Sequence, residues 1–395
     1  MIKTKSCDIA VIGLGAHGAA TAYQLSLKAK GKKVICFDQS NPPHDLGSTH
    51  GESRITRQAI GEGEVYTPLS LRSYEIWMQL ERDTGEDCLN ITGGLIMASK
   101  SSYGLHGNKD FLGETISAAK KYGISHYVFS AYDIRTRFPQ FHLKGDEESY
   151  YEPMAGLLRP ENCVRAQLKL AEVNGVVIKA NDQVLGIMPG SDKVTIFAHS
   201  GIYEAGKVIL TAGPWIKNLI SKRYHKIFRI YRQVMYWFHP KESTVPYMPG
   251  KFPIFIWQFD TGFFYGFPMI GGRDGGVKVA SEQTKLETDP ELVDRSVSDE
   301  EKKSMYDNYI RSRLPGLSSN CAKAVTCLYT STPDSHFVID FHPEFLNVVI
   351  ASPCSGHGFK HSAAIGQILA ELAVDGKTSF DISQFSLNRF EIGIA

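Results

Sequence analysis

The segment that most constrains the fold is Asp8–Gly18, which reads DIAVIGLGAHG. An apolar run leads into three glycines with the spacing G-x-G-x-x-G, which is typical of a buried strand, a tight turn and the start of a helix. Gly13 permits the sharp turn, Gly15 lets the backbone approach a pyrophosphate, and Gly18 lets the helix pack against the strand. The helix N-terminus then points toward the phosphates. The segment therefore predicts a dinucleotide site.

A second strand supports this interpretation. Residues 19–29 continue the pattern of a helix, and residues 33–38 form an apolar strand that ends in an acid. Asp38 lies twenty residues after Gly18, the distance at which a carboxylate accepts hydrogen bonds from the adenosine ribose. The alternative is a glycine-rich turn with no ligand, and the motif alone does not distinguish NAD from FAD.

Length and composition restrict the class of protein. A chain of 395 residues buries a large core and is expected to form more than one domain. With 43% hydrophobic and 22% charged residues and a net charge of +1, it is typical of a globular protein, and no nucleic-acid partner is expected. The seven scattered cysteines favour a reducing compartment, so we expect a cytoplasmic protein. No apolar run reaches the roughly 18 residues that span a bilayer, so no membrane partner is expected.

Apolar periodicity predicts the remaining elements. Helices are predicted over residues 66–83, 111–123, 164–174, 299–314 and 362–374. Strands are predicted over residues 89–98, 175–180, 207–213 and 345–352, and two aromatic strand segments over residues 229–238 and 252–268. The aromatic segments predict an antiparallel sheet, which either lines a pocket or packs into the core.

The polar loop over residues 41–51 is too long and too rich in hydrogen-bonding groups to be a simple connector. It leads to Arg54 and Arg57, which are three residues apart and would share a face on a helical turn. These arginines are either solvated or a pair that contacts a carboxylate or a flavin beside the nucleotide. Further along, residues 355–360 form a glycine loop that opens a helix, which predicts a second site for an anion.

Four segments resemble the family of FAD-dependent amine oxidases formed by monomeric sarcosine oxidase and N-methyltryptophan oxidase. They are residues 48–57 (STHGESRITR), 327–340 (CLYTSTPDSHFVID), 355–360 (SGHGFK) and 381–389 (DISQFSLNR). The resemblance runs almost end to end and is more discriminating than the glycine spacing. It implies a mixed α/β (α+β) fold, with a Rossmann-like FAD-binding domain and a substrate domain built on an antiparallel sheet. The implied FAD-binding domain covers residues 1–83, 146–215 and 322–390, and the substrate domain covers residues 84–145 and 216–321.

The resemblance also implies an activity. It is that of a flavin-dependent oxidase of secondary amino acids, N-methyl or cyclic, such as sarcosine. The amine is oxidised to an imine that hydrolyses, and dioxygen is reduced to hydrogen peroxide. The expected partners are a small amino acid and O2, and the enzyme is expected to be a monomer. One alternative is a flavin dehydrogenase of the same fold with a different electron acceptor, and another is a non-catalytic or NAD-binding protein.

The resemblance assigns the cofactor and its binding residues. It implies FAD, bound covalently through a thioether between a cysteine and the 8α carbon of the flavin. Cys327 occupies that position, and the alternative for this residue is an ordinary buried thiol. The implied cofactor-binding residues are Gly13, Gly15, Gly18, Asp38, Ser48, Arg57, Val184, Cys327, Gly356, Gly358 and Lys360.

The resemblance also assigns the residues around the substrate. Arg54 and Lys360 match the pair that holds the substrate carboxylate, because two cations are needed to fix a small anion over the flavin. Tyr265 and Tyr329 match aromatic residues close to the substrate, and these four residues are the implied substrate-binding set.

Catalytic roles follow from the same resemblance. Lys278 matches the lysine at which dioxygen is reduced, where a fixed cation stabilises the developing negative charge. His357 matches the histidine of the glycine loop, and Arg57 matches an arginine whose charge assists both flavin and substrate. An exposed lysine and a loop histidine are the alternatives. The implied catalytic residues are Lys278, Arg54, His357 and Tyr265.

The chain departs from the family at two positions near the substrate. Glu282 stands where the family has a histidine, and Ile256 stands where it has a methionine. A carboxylate at this place would change which amine fits. No metal site is expected, because His357 and His361 have helical spacing but lack a glutamate between them and a third ligand.

Overall fold

The glycine segment forms the first strand, turn and helix of the chain. A computed structural model describes residues 4–102, 104–272 and 275–390. The α-helices in these residues are α1 (Ala16–Lys28), α2 (Tyr66–Thr84), α3 (Phe111–Lys121), α4 (Ala131–Arg137), α5 (Pro160–Val173), α6 (Asp299–Met305) and α7 (Ser362–Asp375). The strands are β1 (Lys5–Ile12), β2 (Val34–Phe37), β3 (Arg54–Thr56), β4 (Leu89–Ile91), β5 (Gly94–Ala98), β6 (Tyr127–Ser130), β7 (Glu148–Glu152), β8 (Gly156–Leu158), β9 (Val177–Lys179), β10 (Val184–Pro189), β11 (Val194–Ala198), β12 (Gly201–Leu210), β13 (Arg229–Pro240), β14 (Ile254–Phe259), β15 (Gly262–Phe267), β16 (Val277–Ala280), β17 (Leu317–Ser331), β18 (Val338–Phe341) and β19 (Val348–Ser352).

The first sheet has the parallel core that the glycine motif predicts. Its parallel strands lie in the order β19-β12-β1-β2-β9. Helices α1, α5 and α7 cover one face and form an apolar cluster with β1 and β2. On the other face, side chains of β11 and β12 belong to a second apolar cluster. β11 pairs with β12 in the antiparallel direction and begins an antiparallel extension of the sheet. The Rossmann-like part of the predicted fold is confirmed.

The second sheet has eight strands in the order β17-β13-β16-β15-β14-β5-β7-β6. All neighbouring pairs are antiparallel except β14 and β5, so the predicted antiparallel sheet is confirmed. The two aromatic segments form β13 and the β14–β15 hairpin. Most of their aromatic side chains are buried in the core cluster, but Tyr265 faces a cavity.

The domain boundaries implied by the resemblance divide this second sheet. β7 begins at Glu148, just past the expected boundary between residues 145 and 146, and β17 crosses the boundary between residues 321 and 322. β17 nevertheless pairs along most of its length with β13. The strands of one sheet therefore come from segments assigned to both domains, and the position of the boundaries stays a prediction.

A small third sheet, in the order β3-β8-β4, corrects one expectation. A shared helical face for Arg54 and Arg57 is wrong, because Arg54 begins strand β3 and pairs with Leu158. The β-branched residues Ile55 and Thr56 favour this extended backbone. The two guanidinium groups consequently bind different partners.

The helices predicted from periodicity are present, with one difference. The helix expected over residues 299–314 is α-helical only to Met305 and continues as a π-turn over Tyr306–Ile310. Pro315 and Gly316 then prevent further helix. Within residues 4–102, 104–272 and 275–390, no helix combines the length and the apolarity needed to cross a membrane.

The crossing of α1 and α7 is close enough to require glycine. A Cβ atom on Gly366 would lie 2.5 Å from backbone and side-chain carbons of Ala20. The contact fixes the N-terminus of α1, which carries the glycine motif, against the helix that follows the second glycine loop. A side chain at Gly366 would have to push two buried helices apart.

We predict that Gly366→Ala destabilises the protein by about 1–3 kcal/mol. Helix propensity alone predicts the opposite, a gain of about 1 kcal/mol. Urea unfolding followed by tryptophan fluorescence measures the difference. Gly186→Ala is the control, because a Cβ there meets no atom within 4 Å. A Gly366→Ala variant as stable as the parent would contradict the close crossing.

Candidate active site

A large cavity opens at the carboxyl ends of the parallel strands. It measures about 1350 Å³ including its opening to solvent, and it is lined by residues from the turns after β1, β2 and β12 and from the loop before α7. Parallel α/β sheets bind their ligands at this edge. Predicted cofactor residues in its lining are Gly13, Gly15, Asp38, Ser48, Val184, Gly356 and Gly358.

The glycine motif has the geometry that a dinucleotide requires. Gly13 has a φ of +94°, and a Cβ there would lie 2.6 Å from the carbonyl oxygen of Thr211. Gly15 caps α1 without a side-chain hydrogen bond, and the N–H of Ala16 donates to the hydroxyl of Thr49 at 3.3 Å, so the available N–H groups of the first turn are those that follow Ala16. Gly18 does not line the cavity. Its Cβ would lie 1.8 Å from the carbonyl oxygen of Gly13, so its role is close packing.

Asp38 lies at the end of β2 with its carboxylate held in place. One oxygen accepts a hydrogen bond from the N–H of Leu14 at 2.7 Å, and the other accepts from the N–H of Ser40 at 2.9 Å. A carboxylate has about four acceptor positions, so positions remain for the hydroxyl groups of a ribose. The cavity, the glycine turn and this carboxylate together fit an adenine dinucleotide.

A smaller cavity of about 580 Å³ adjoins the first. Arg54, Tyr329, Gly356 and Phe359 line both cavities and form what we call the shared wall. The smaller cavity contains every residue predicted for the substrate or for catalysis, together with both departures from the family. Those residues are Arg54, Tyr265, Tyr329, Lys360, Lys278, His357, Ile256 and Glu282.

Arg54 is positioned in the shared wall by backbone carbonyls. Its Nη2 donates to the carbonyl of Ser48 at 2.7 Å, and its Nη1 donates to the carbonyl of Ser53 at 2.8 Å. A guanidinium group has five N–H donors. The two backbone contacts fix its plane, and donors remain for an anion in the cavity.

Lys360 belongs to a buried ionic cluster around Glu62. Arg57 Nη2 lies 2.5 Å from one Glu62 oxygen, and Lys360 Nζ lies 3.3 Å from the other. Burial acts to raise the pKa of Glu62, but Arg57 and Lys360 outweigh it and hold that pKa well below its usual range. Burial lowers the pKa of Lys360 to about 8 against the opposing charge of Glu62. Arg57 and Lys360 line the smaller cavity, and their contact with the cofactor stays a prediction.

His106 connects Glu62 to Glu282, and the sequence analysis identified neither His106 nor Glu62. The Nε2 atom of His106 lies 3.1 Å from one Glu282 oxygen, and its Nδ1 lies 3.7 Å from Glu62. Burial alone would lower the pKa of His106, but Glu282 and then Glu62 raise it to about 9. No local sequence pattern signals this contact, because 176 residues separate His106 from Glu282.

Lys278 is buried rather than exposed, which excludes the alternative given above. Its Nζ donates to the carbonyls of Gly51 and Ser53, both at 2.7 Å. Burial, followed by the charge of Arg54, holds the pKa of Lys278 well below that of an ordinary lysine. The ammonium group lies 4.6 Å from the ring centre of Phe267.

The two tyrosines and His357 of the cavity are neutral, whereas His106 is the charged imidazole. The hydroxyl groups of Tyr265 and Tyr329 lie 3.1 Å apart, and burial raises the pKa of both. Burial also holds the pKa of His357 well below its usual range. The Nε2 of His357 contacts the carbonyl of Ser335 at 3.0 Å, and its buried Nδ1 has no partner among the residues that the structure describes. In those residues, no group of three or more His, Cys, Asp or Glu could hold a metal.

Cys327 lies beside the cofactor cavity but does not line it. It is 2% exposed, and burial raises the pKa of its thiol. Along a strand, residues two apart point to the same face, so Cys327 shares a face of β17 with Tyr329 of the shared wall. Between them, the carbonyl of Leu328 accepts a hydrogen bond from the hydroxyl of Ser48, a cavity residue.

Comparisons with known proteins agree with this geometry. The family model described as FAD dependent oxidoreductase matches residues 8–372. The monomeric sarcosine oxidase of Streptomyces avermitilis is 39% identical over 384 residues, covering 97% of each chain. The N-methyl-L-tryptophan oxidase of Escherichia coli O157:H7 is 31% identical over 391 residues, covering 97% of this chain and 99% of that protein.

Solved structures show the same fold. NikD, described as an unusual amino acid oxidase essential for nikkomycin biosynthesis, aligns with a TM-score of 0.82 and 23% identity over 97% of this chain and 98% of its own. The L-proline dehydrogenase of P. horikoshii aligns with a TM-score of 0.81 and 21% identity over 99% of each chain. The chain therefore belongs to the family of FAD-dependent oxidoreductases that includes the monomeric sarcosine oxidases.

Proposed function

We propose that this chain is an oxidase of secondary amino acids, N-methyl or cyclic, such as sarcosine. The amine becomes an imine that hydrolyses, and O2 becomes hydrogen peroxide. The observation that carries the proposal is the shared wall, because it joins a dinucleotide cavity to a small cavity that contains both cations and neutral aromatic groups. The names of the two relatives support the same chemistry.

FAD fits the larger cavity, with its pyrophosphate at the N-terminus of α1 and its ribose at Asp38. The bound flavin supplies two-electron chemistry between an amine and dioxygen, which amino-acid side chains alone do not provide. We infer that the thioether forms at Cys327, which shares a strand face with Tyr329. The protein's own residues bind and orient the substrate at the shared wall.

Arg54 and Lys360 bind the carboxylate of the substrate. Arg54 keeps donors beyond its two backbone contacts, and Lys360 has three N–H donors, of which Glu62 and the carbonyl of His357 engage two. Charge-assisted hydrogen bonds from two directions fix both the position and the orientation of a small anion. The carbon to be oxidised is thereby held at the shared wall.

The same cations favour the reactive form of the amine. A secondary amine reacts with its nitrogen lone pair free, so the bound ammonium must lose a proton. Nearby positive charges such as Arg54 and Lys360 lower the pKa of an ammonium group. The hydroxyl groups of Tyr265 and Tyr329 stay protonated, so they contribute hydrogen bonds without adding negative charge.

We infer that the enzyme is a monomer in the cytoplasm. The relative from Streptomyces avermitilis is named as a monomeric enzyme, which supports a monomer. None of the seven cysteines, which all lie in the described residues, is in a disulfide, and this fits a reducing compartment.

The covalent attachment is tested by denaturing the purified protein in acid. We expect the yellow colour to stay with the wild-type polypeptide and to separate from Cys327→Ser, because serine forms no thioether. Cys321→Ser, on the same strand six residues earlier, is the control and should keep the colour. Colour lost from the wild type, or retained by Cys327→Ser, would refute the attachment.

Replacing Arg54 by Ala is expected to raise the KM for sarcosine. Loss of a charge-assisted hydrogen bond costs about 1.5–3 kcal/mol, which corresponds to roughly 10- to 150-fold. Steady-state peroxide release measures the change. Arg82→Ala, on the exposed face of α2, is the control. An unchanged KM in Arg54→Ala would count against carboxylate binding.

Lys278→Met is expected to separate the two halves of the reaction. Anaerobic reduction of the flavin by substrate should survive, whereas reoxidation by O2 should slow by roughly a hundredfold or more, because a fixed positive charge is lost. Stopped-flow absorbance measures both rates, with the exposed Lys241→Met as control. Normal reoxidation in Lys278→Met would refute the role, and slow reoxidation of the wild type would instead favour a dehydrogenase.

We also expect the rate at which O2 reoxidises the wild-type enzyme to depend on pH. Lys278 is charged below its pKa, so the rate should be highest at low pH and fall as the pH rises through that pKa. Because burial lowers the pKa of Lys278, the fall should begin at a lower pH than for an ordinary lysine. Lys278→Met should lack this transition.

A further inference from the structure

Glu282 is a carboxylate to which the proposed reaction gives no role. Its side chain is only 10% exposed and lines the smaller cavity. A Cβ on Gly356 would lie 2.9 Å from one Glu282 oxygen and 3.2 Å from the other. The carboxylate thus lies directly against Gly356, which belongs to the shared wall. A bound substrate at that wall would meet it.

His106 orients the carboxylate of Glu282 but does not fill all of its hydrogen-bond acceptor positions. A single nitrogen, Nε2, contacts both oxygens of Glu282, at 3.1 Å and 3.3 Å. A carboxylate has about four acceptor positions. Among the residues that the structure describes, Glu282 has no other side-chain hydrogen-bond partner, so its remaining positions are open to a ligand in the cavity.

The second carboxylate of the cavity provides an internal comparison. Glu62 binds Arg57 with one oxygen and Lys360 with the other, so two cations compensate its charge. Glu282 has His106 alone. Of the two buried carboxylates, Glu282 is therefore the one that can accept a hydrogen bond from a bound molecule.

We propose that Glu282, oriented by His106, determines specificity by binding a second, positively charged nitrogen in the side chain of the substrate. This inference rests on the proposed function and narrows its substrate class to secondary amino acids with a basic side chain. The carboxylate end of such a molecule binds Arg54 and Lys360, and the side-chain ammonium binds Glu282. The reacting nitrogen is not the partner of Glu282, because an ion pair there would hold it as unreactive ammonium.

A neutral side chain would be disfavoured for the converse reason. Covering the carboxylate of Glu282 with methylene groups removes its water and returns no hydrogen bond. A buried carboxylate whose open acceptor positions a ligand leaves unfilled discriminates more strongly between ligands than a difference in apolar contact. The expected preference for a cationic side chain over an apolar one of equal size is about ten- to a hundredfold in kcat/KM.

The kinetic test compares pairs of substrates of equal size. The derivatives of 2,3-diaminopropanoate, 2,4-diaminobutanoate, ornithine and lysine that carry a methyl group on the α-nitrogen are the cationic substrates. Each is paired with the analogue in which a methyl group replaces the side-chain ammonium. At one or more lengths, the cationic member should have the higher kcat/KM by about ten- to a hundredfold. The readout is the ratio within a pair, measured by peroxide release.

Two variants show whether Glu282 causes the ratio. Glu282→Gln keeps the shape and removes the charge, so the ratio should fall to near one. Glu282→His places a group that is cationic or neutral at the same position, so the ratio should fall to one or below. Glu242→Gln, at an exposed carboxylate, should keep the wild-type ratio. A wild-type ratio near one, or an unchanged ratio in both Glu282 variants, would overturn the inference.

A binding measurement separates this inference from the oxidase reaction. Titration calorimetry on the holoenzyme compares the ω-amino acids from 3-aminopropanoate to 6-aminohexanoate with unbranched carboxylates of equal length. These ligands have no secondary amine. One ω-amino acid should bind about tenfold or more tightly than its carboxylate partner, and Glu282→Gln should abolish the difference.

The two proposals fail in different ways. If no N-methyl or cyclic amino acid releases peroxide, the proposed oxidase function fails, and the calorimetric difference still decides whether Glu282 binds a cation. If neutral N-methyl amino acids are oxidised as well as cationic ones and calorimetry shows no difference, the inference about Glu282 fails and the oxidase function stands.

Discussion

The buried carboxylate of Glu62 is the interaction on which the substrate side of the molecule depends. It binds Arg57, five residues earlier, and Lys360, 298 residues later. Leaving either cation unpaired in the interior would cost about 3–5 kcal/mol, so the segment after β3 and the turn before α7 are fixed relative to each other. Lys360 follows directly from the glycine loop of the shared wall. The ionic cluster therefore determines where the ammonium group of Lys360 lies in the smaller cavity.

The two sheets contribute to the site in different ways. The first sheet supplies backbone: its parallel strands end at one edge, where the turn at Gly13 and the carboxylate of Asp38 face the cofactor cavity. The second sheet supplies side chains, since Tyr265 and Lys278 come from its neighbouring strands β15 and β16. β17 brings Tyr329 to the point where both cavities meet, and Cys327 lies two residues earlier on the same face of that strand. One strand thus contributes to the lining of both cavities through Tyr329.

The sequence predicted those features that depend on neighbouring residues. The turn at Gly13, the helix after it and the acid at Asp38 are encoded within forty residues, and the structure has all three. The aromatic strands were also predictable, because alternation and composition are local. The shared helical face of Arg54 and Arg57 was wrong because helical spacing alone does not exclude a strand, and the pairing with β8 decides the matter.

Residues whose roles depend on distant partners were not predictable from local patterns. Glu62 and His106 lie in segments without a motif. Their roles depend on contacts with Lys360 and Glu282, which are distant from them in the sequence. The substrate residues were found through resemblance to a family, and the structure adds that they line one cavity. Resemblance marked Glu282 as a departure, but only the three-dimensional contacts show that its carboxylate has open acceptor positions.

The negative charges of Glu62 and Glu282 are compensated unequally, and this makes the electrostatic potential of the smaller cavity asymmetric. A cavity with cations alone would attract any small anion in any orientation, because the potential would be positive throughout. Glu62 does not change this, since Arg57 and Lys360 take up its charge. Glu282 places negative charge beside Gly356 of the shared wall, in the cavity that Arg54 and Lys360 also line. Positive and negative groups at different positions of one cavity favour a single orientation of a molecule that carries charges of both signs.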